Sequence, residues 1–290
     1  MKPSPFQYFC PTTVVEALQL LAWHGDAAKV IAGGQSLVPM MNFRLAKPEI
    51  LIDINRLAEF DFHRVEGQTL HIGALARHAA LLASSTVRQA CPLMSDAYKR
   101  VAHGTVRNRG TLCGNLCHAD PASEMPAVML AYGASMVLRS ERGERVVSAA
   151  DFFQGLYATA VKPDELLVEV RIPIPTKGIG HSFKGISVRK GDFALTLVAS
   201  MMRIQDGRIK EAVLAYGGIS DRPRRFGDIE KLLIGATPSE ALFTKVAANV
   251  AALINPSADI HADSEYRRDL VRTLTVRTLT EASVHVSGNT

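Results

Sequence analysis

Two stretches built on glycine constrain this chain more than any other feature: Lys29-Val-Ile-Ala-Gly-Gly-Gln-Ser36, and Arg109-Gly-Thr-Leu-Cys-Gly-Asn115 with its continuation to Glu124. In the first, a short apolar run stops at Gly33-Gly34, and Leu37 to Arg44 reads as a helical turn. Adjacent glycines permit positive φ and close approach of a ligand to main chain, and amides at a helix start carry partial positive charge. The pattern predicts a row of bare N–H groups suited to a diphosphate. The plain alternative is that Gly33-Gly34 only turns the chain between strand and helix. The second stretch weighs against it. There Thr111, Asn115 and Ser123 offer short polar side chains beside Gly110 and Gly114, while Asp120 and Glu124 supply carboxylates that can accept from ribose hydroxyls or an adenine amine. Neither stretch is Gly-x-Gly-x-x-Gly, and no Gly-Lys-Ser follows a glycine loop, so Rossmann and P-loop binding lack their required residues.

Around these stretches the chain alternates elements. Thr13-Val-Val-Glu16 is a capping box, opening a helix with Val14, Ala17, Leu18, Leu21 and Ala22 at helical spacing and an end at Gly25. Trp23 is read as a packing residue of that helix. Lys29 to Ala32 and Glu49 to Ile54 read as buried strands, so the first 56 residues make an α/β unit. Phe60 to Glu66 and Thr69 to Ala74 flank Gly67 as a hairpin, residues 75–83 and 92–103 carry helical patterns, and Ser123 to Tyr132 is a further helix. From Ala134 short strands take over, at Ser135 to Arg139 and Glu165 to Ile172, with a turn at Glu141 to Glu144. Pro173-Ile-Pro-Thr-Lys-Gly178 breaks both periodicities and sets a domain boundary near residue 177. Beyond it, Phe193 to Ile204 and Arg208 to Tyr216 are strands around the Asp206-Gly207 turn, and helices are expected at 226–234, 238–253 and 263–281. Phe183 and Phe193 are read as core.

A length of 290 residues with 47% hydrophobic content suffices for two domains. The net charge of +5 is scattered, with only short clusters at Arg222 to Arg225 and Arg267-Arg268, and no aromatic platform accompanies it, so nucleic-acid binding is not expected. No apolar stretch approaches the roughly 20 residues of a membrane span. Met1 to Phe6 lacks the apolar core of a secretory signal, so a cytoplasmic location is expected. Cys10, Cys91, Cys113 and Cys117 lack the spacings of a disulfide framework, a zinc ribbon or an iron–sulfur site, so they are expected to be reduced and this chain to hold no metal. His103 and His118 are read as structural or cofactor-packing groups rather than acid–base catalysts.

Ala32-Gly-Gly-Gln-Ser-Leu37, followed by Arg107-Asn-Arg-Gly-Thr-Leu-Cys-Gly-Asn-Leu-Cys-His-Ala-Asp-Pro-Ala-Ser-Glu124, resembles the FAD-binding medium subunit of molybdenum hydroxylases. This is the group of carbon monoxide dehydrogenase, quinoline oxidoreductase, nicotine dehydrogenase and the flavin domain of xanthine dehydrogenase. Phe183 to Phe193 also resembles the start of that family's C-terminal domain. The resemblance covers nearly the whole chain and implies an α+β fold. A two-part PCMH-type, vanillyl-alcohol-oxidase-like FAD-binding domain would occupy residues 1–177, with subdomains of about 1–56 and 57–177. An antiparallel sheet with helices, of the carbon monoxide dehydrogenase flavoprotein C-terminal type, would occupy 178–290.

Position by position, the resemblance implies that the amides of Ala32, Gly33, Gly34, Gln35 and Ser36 hold the FAD diphosphate, with Lys29, Val30 and Ile31 leading in and Leu37 following. Ala102 and His103 fall where the family lines the cofactor. Thr111, Cys113, Gly114 and Asn115 match the second phosphate- and flavin-contacting segment, Glu124 an acidic residue near the adenosine half, and Leu167 and Lys184 residues at the ring or its edge. Many relatives have Gly-Gly where this chain has Cys113-Gly114, which puts a side chain where main chain would otherwise approach the cofactor. No catalytic residue is implied in this chain. The implied role is electron transfer: a large subunit hydroxylates a small substrate, possibly an N-heterocycle, at a molybdenum-pterin centre, and a small subunit with two [2Fe-2S] clusters conducts the electrons. FAD here receives them for an external acceptor, in an (αβγ)2 assembly. The alternative is a self-contained FAD-dependent oxidase or reductase of the same FAD-binding superfamily.

Overall fold

In the parallel sheet of the N-terminal unit the central strand, Ile50–Asp53, is apolar and buried almost throughout, as a strand covered on both faces must be, while the strands beside it are partly exposed. The protein is described by a computed structural model over residues 2–287, with side chains to residue 284. Strand β1 (Gln7–Phe9), helix α1 (Val14–His24), strand β2 (Ala28–Ile31), helix α2 (Leu37–Asn42) and strand β3 (Ile50–Asp53) form a parallel sheet in the order β1-β3-β2. Thr13 caps α1 by accepting from the Glu16 N–H, while the Glu16 carboxylate accepts from the Thr12 N–H at 3.0 Å, one residue earlier than the usual box. Val14, Ala17, Leu18 and Leu21 face the core. Trp23 does not: it lies off that stripe and is 87% exposed, which corrects its reading as a packing residue.

Strands β4 (His63–Glu66) and β5 (Thr69–Gly73) make the expected hairpin at Gly67. A run of short helices follows: α3 (His78–Ala83), α4 (Ser85–Ala90), α5 (Pro92–Tyr98), α6 (Gly104–Arg109), α7 (Leu112–His118) and α8 (Glu124–Tyr132). The helical pattern read over 92–103 ends early, because Ala102 adopts a left-handed φ of 45°. The pattern over 75–83 becomes helix only at His78, since Ala76 and Arg77 pair instead with the segment at Thr111 and Leu112. Strands β6 (Ser135–Ser140) and β7 (Gly143–Ser148), helix α9 (Ala149–Phe152), the small pair β8 (Phe153–Gly155) and β9 (Ala158–Thr159), and β10 (Leu166–Pro173) complete this part. Its antiparallel sheet runs β4-β5-β10-β6-β7.

The last sheet, β11 (Ile179–Ser187), β12 (Ala194–Gln205), β13 (Arg208–Gly217) and β14 (Arg224–Arg225), is antiparallel in chain order and turns at Asp206-Gly207, both at positive φ. Helices α10 (Gly227–Glu230), α11 (Glu240–Leu253) and α12 (Ser264–Ser287) follow. Alternation along β12 sends Val198 and Met202 into a core with Phe243, Val246, Val271 and Leu274, and sends Leu197, Ala199 and Met201 into the large core of the preceding part. All nine residues of α8 are buried, so that helix is a wedge between the sheets. Phe183 is core as expected, whereas Phe193 is more than half exposed just before β12. Among the described residues, no helix is long and apolar enough to cross a membrane.

Candidate functional site

The first glycine stretch leaves β2 at Ile31, whose carbonyl accepts from the Ile54 N–H at 3.1 Å. Gly34 takes φ +70°, a conformation that side chains disfavour, and its carbonyl then accepts from the Val38 N–H at 3.0 Å to open α2. Among the described residues, the N–H groups of Gly33, Gly34, Gln35 and Ser36 have no hydrogen-bond partner. The Gln35 side chain folds back instead and donates to the Gly33 carbonyl at 3.0 Å. A Cβ on Gly33 would overlap the Arg109 carbonyl and lie 2.7 Å from Gly110 Cα. The two glycine stretches therefore meet backbone on backbone. Gly33 is glycine because the second stretch abuts it, which the sequence reading did not foresee, and Gly34 because of the positive φ that reading allowed for.

A polar clasp fastens this contact. Asn55, two residues past β3, donates from Nδ2 to the Ala32 carbonyl at 2.8 Å and to Asp53 Oδ1 at 2.6 Å. Its Oδ1 accepts from Arg77 at 2.5 Å, and the same guanidinium donates to the Arg109 carbonyl. Asp53 also accepts from the Tyr8 hydroxyl at 2.6 Å. Burial first, and then the neighbouring Arg109, lowers the pKa of Arg77. Sequence reasoning missed Asn55 and Arg77. The one available signal was an Asx residue directly after a buried strand, a common turn-former that does not point to a site.

The second stretch is mostly helix rather than loop. Thr111 caps α7 by accepting from the Gly114 N–H at 3.1 Å, and the Asn115 N–H donates to the Thr111 carbonyl at 3.0 Å. The amides of Gly114 and Asn115 are thus taken up by the start of α7 itself. Cys113 turns into the core, where burial pushes its thiol well above the ordinary value, and its side chain does not obstruct the Gly33–Arg109 contact. Asn115 and Ser123 bond each other at 2.8 Å, and Asp120 accepts from the Ala122 N–H at 2.9 Å and the Tyr157 hydroxyl at 3.3 Å. Gly110 sits under His78, whose buried imidazole is held down to about 4 by desolvation and then by Arg107.

Beyond α8 lies a crevice of about 450 Å³ between α5, the start of α8, and β11 with its loop to β12. It brings together Glu124 and Lys184, two expected site residues 60 positions apart in sequence. Glu124 is 6% exposed, and burial raises its carboxyl to about 7 against the opposing pull of its own backbone N–H and of Arg100. Lys184 Nζ lies 2.6 Å from Glu281. Asp96 meets Lys99 at 2.7 Å and His181 at 3.3 Å, and the His181 bond leads in holding it at about 2. His103 packs its ring against Gly191 in the β11–β12 loop, with Cε1 2.5 Å from where a Cβ would stand. Ala102 and His103 are thus at the seam, while Leu167 is buried in the core opposite Leu138 and does not line the crevice.

Of the expected residues, Gly33 to Ser36 form an amide cradle and Glu124 and Lys184 line the crevice, whereas Cys113 and Leu167 lie in the core. An anion fits the first, and polar edges of a planar group fit the second. Residues 4–175 match the family described as the FAD binding domain in molybdopterin dehydrogenase, and residues 181–282 match the CO dehydrogenase flavoprotein C-terminal domain. The chain is 41% identical over 284 residues to the caffeine dehydrogenase subunit beta of Pseudomonas sp. strain CBB1, covering 98% of this chain and 96% of that one. A solved structure of carbon monoxide dehydrogenase from Hydrogenophaga pseudoflava superposes with a TM-score of 0.96 at 35% identity, over 98% of this chain and 99% of the other. Quinoline 2-oxidoreductase from Pseudomonas putida 86 superposes with a TM-score of 0.93 at 36% identity, over 100% and 99%. Fold and sequence agree over both halves of the chain, which belongs to the family of FAD-binding medium subunits of molybdenum hydroxylases.

Proposed function

We propose that this chain binds FAD with its diphosphate on the amides of Ala32 to Ser36 and its ring toward the crevice of Glu124 and Lys184. It serves as the electron-transfer subunit of a molybdenum hydroxylase. The observation that carries the reading is the row of N–H groups from Gly33 to Ser36 that have no partner among the described residues, fixed in place by the Gly33 contact with Arg109 and Gly110. Diphosphate oxygens satisfy such amides, and an anion completes what the helix start leaves open. When bound, FAD supplies a carrier that takes electrons singly or in pairs, so it links one-electron clusters to an external acceptor. The chain's own residues orient it: Asn55 and Arg77 fix the cradle, and Glu124 and Lys184 meet the far end.

The partners in this reading are a large molybdenum-pterin subunit and a small iron–sulfur subunit, assembled as (αβγ)2 in the cytoplasm, and residues 1–177 and 178–290 are the two domains. Caffeine dehydrogenase and quinoline 2-oxidoreductase among the relatives support an N-heterocyclic substrate for the whole complex. The absence of a nicotinamide fingerprint favours a quinone, cytochrome or oxygen as acceptor.

The test is the visible spectrum of the purified full-length chain, before and after incubation with FAD. The expected result is flavin absorbance near stoichiometry, strongly reduced in Gly34→Asp, whose side chain, strained at φ +70° and pressed against Ile31 and Val38, distorts the row of amides. A folded wild-type chain that takes up no flavin, or a Gly34→Asp chain with undiminished occupancy, overturns the assignment.

A further inference from the structure

Several of the charges lining the crevice are engaged in a definite way. Lys99 is held by Asp96, and Arg100 donates to the Gly185 carbonyl at 3.2 Å. Lys184, on β11, is met by Glu281 from α12, and the two Glu281 oxygens divide their work: Oε1 lies 2.6 Å from Lys184 Nζ, and Oε2 accepts from the Ser182 hydroxyl at 2.7 Å. Ser182 is itself buried, two residues from Lys184 on the same strand face, so the carboxylate is anchored at one oxygen and engages the ammonium with the other. The Lys184 and Glu281 side chains keep about a third to nearly half of their exposure, so solvent moderates their attraction without cancelling it.

We infer that Glu281 is a positioning residue that sets how much of the Lys184 charge reaches a ring bound in the crevice. The inference rests on the FAD reading above. An ammonium bearing on the electron-rich edge of a reduced flavin favours reduction, and a carboxylate fixed beside it opposes that effect. Glu281 therefore tunes the potential downward through Lys184 without touching the ring. Because it stands on α12, the C-terminal helix takes part in setting the electron affinity of a site otherwise built from earlier segments.

The experiment is a redox titration of the flavin in the full-length chain and in E281Q, K184M and the double variant, with flavin content measured from absorbance in each. E281Q is expected to favour reduction about tenfold, which for a two-electron couple is about 30 mV. K184M is expected to disfavour reduction, and the E281Q shift to be clearly smaller in the K184M background, because the carboxylate acts mainly by holding the ammonium in place. Glu281→Asp, which keeps the charge, is expected to stay near wild type. If E281Q does not fold, Ser182→Ala frees the anchored oxygen and is expected to shift the potential the same way by less. An E281Q chain with full flavin and an unmoved potential overturns the inference, as does an equal E281Q shift in the K184M background. A wild-type chain without flavin instead overturns the FAD reading on which it rests.

Discussion

Glu124 shows how a single carboxyl reports on its surroundings. Its ordinary pKa of 4.5 is raised to about 7 in the fold, so the folded chain keeps a proton that the unfolded chain has already lost. Between about pH 4.5 and pH 7 the folded state binds more protons, and stability falls as pH rises; above pH 7 the cost levels off at up to about 3 kcal/mol. Glu124→Gln removes that term. In flavin-free chain, denaturant unfolding is expected to show the variant matching wild type near pH 4 and exceeding it at pH 8. His78 titrates in the opposite sense, its stabilisation being lost as pH falls below 6.5 toward about 4, so only the difference between variant and wild type isolates Glu124. The sequence already singled out Glu124 as a carboxylate able to accept from a nucleotide's hydroxyls or amine, but its burial became visible only in the fold. It did not single out Trp23 as exposed: an aromatic within a helical pattern reads as core unless the stripe is tracked residue by residue.

Among elements, the cradle depends on β2, β3, α3 and α6 holding two loops together. Glycine spacing made the first loop legible, since free amides follow from Gly33-Gly34 before a helix. The helical character of the second was not legible: α6 and α7 are of six and seven residues, too short to display an amphipathic period, and their glycines suggest breaks. The clasp was not legible at all, because Arg77 and Asn55 are joined only by folding. Arg77→Ala and Asn55→Ala are each expected to cost about 1–3 kcal/mol, since either leaves a polar partner unpaired. The double variant should lose less than the sum, with a coupling of about 0.5–3 kcal/mol, and all three should bind FAD more weakly by calorimetry. Gly33→Ala drives a methyl into the Arg109 carbonyl and is expected to cost about 1–3 kcal/mol in unfolding free energy, with flavin occupancy falling alongside.

Across the whole molecule, two apolar runs around the Asp206-Gly207 turn made the C-terminal sheet readable, and proline and glycine at 173–178 marked the change of architecture. What the sequence did not reveal is that one face of that sheet packs into the N-terminal core, because a strand buried on both faces carries no mark of which neighbour covers each side. A fragment of residues 1–177 leaves α8 and its surroundings uncovered toward β12 and β13. It is expected to bind a hydrophobic dye and to melt without a sharp transition, whereas the full chain melts cooperatively in calorimetry. The helix α8, apolar on every side and gripped from both directions, also fixes the two halves as jaws that do not open. With FAD across them as proposed, release requires the packing around that helix to loosen, so its residence time should lengthen and shorten with the resistance of the chain to unfolding, and hold nearly constant under variation of surface charge.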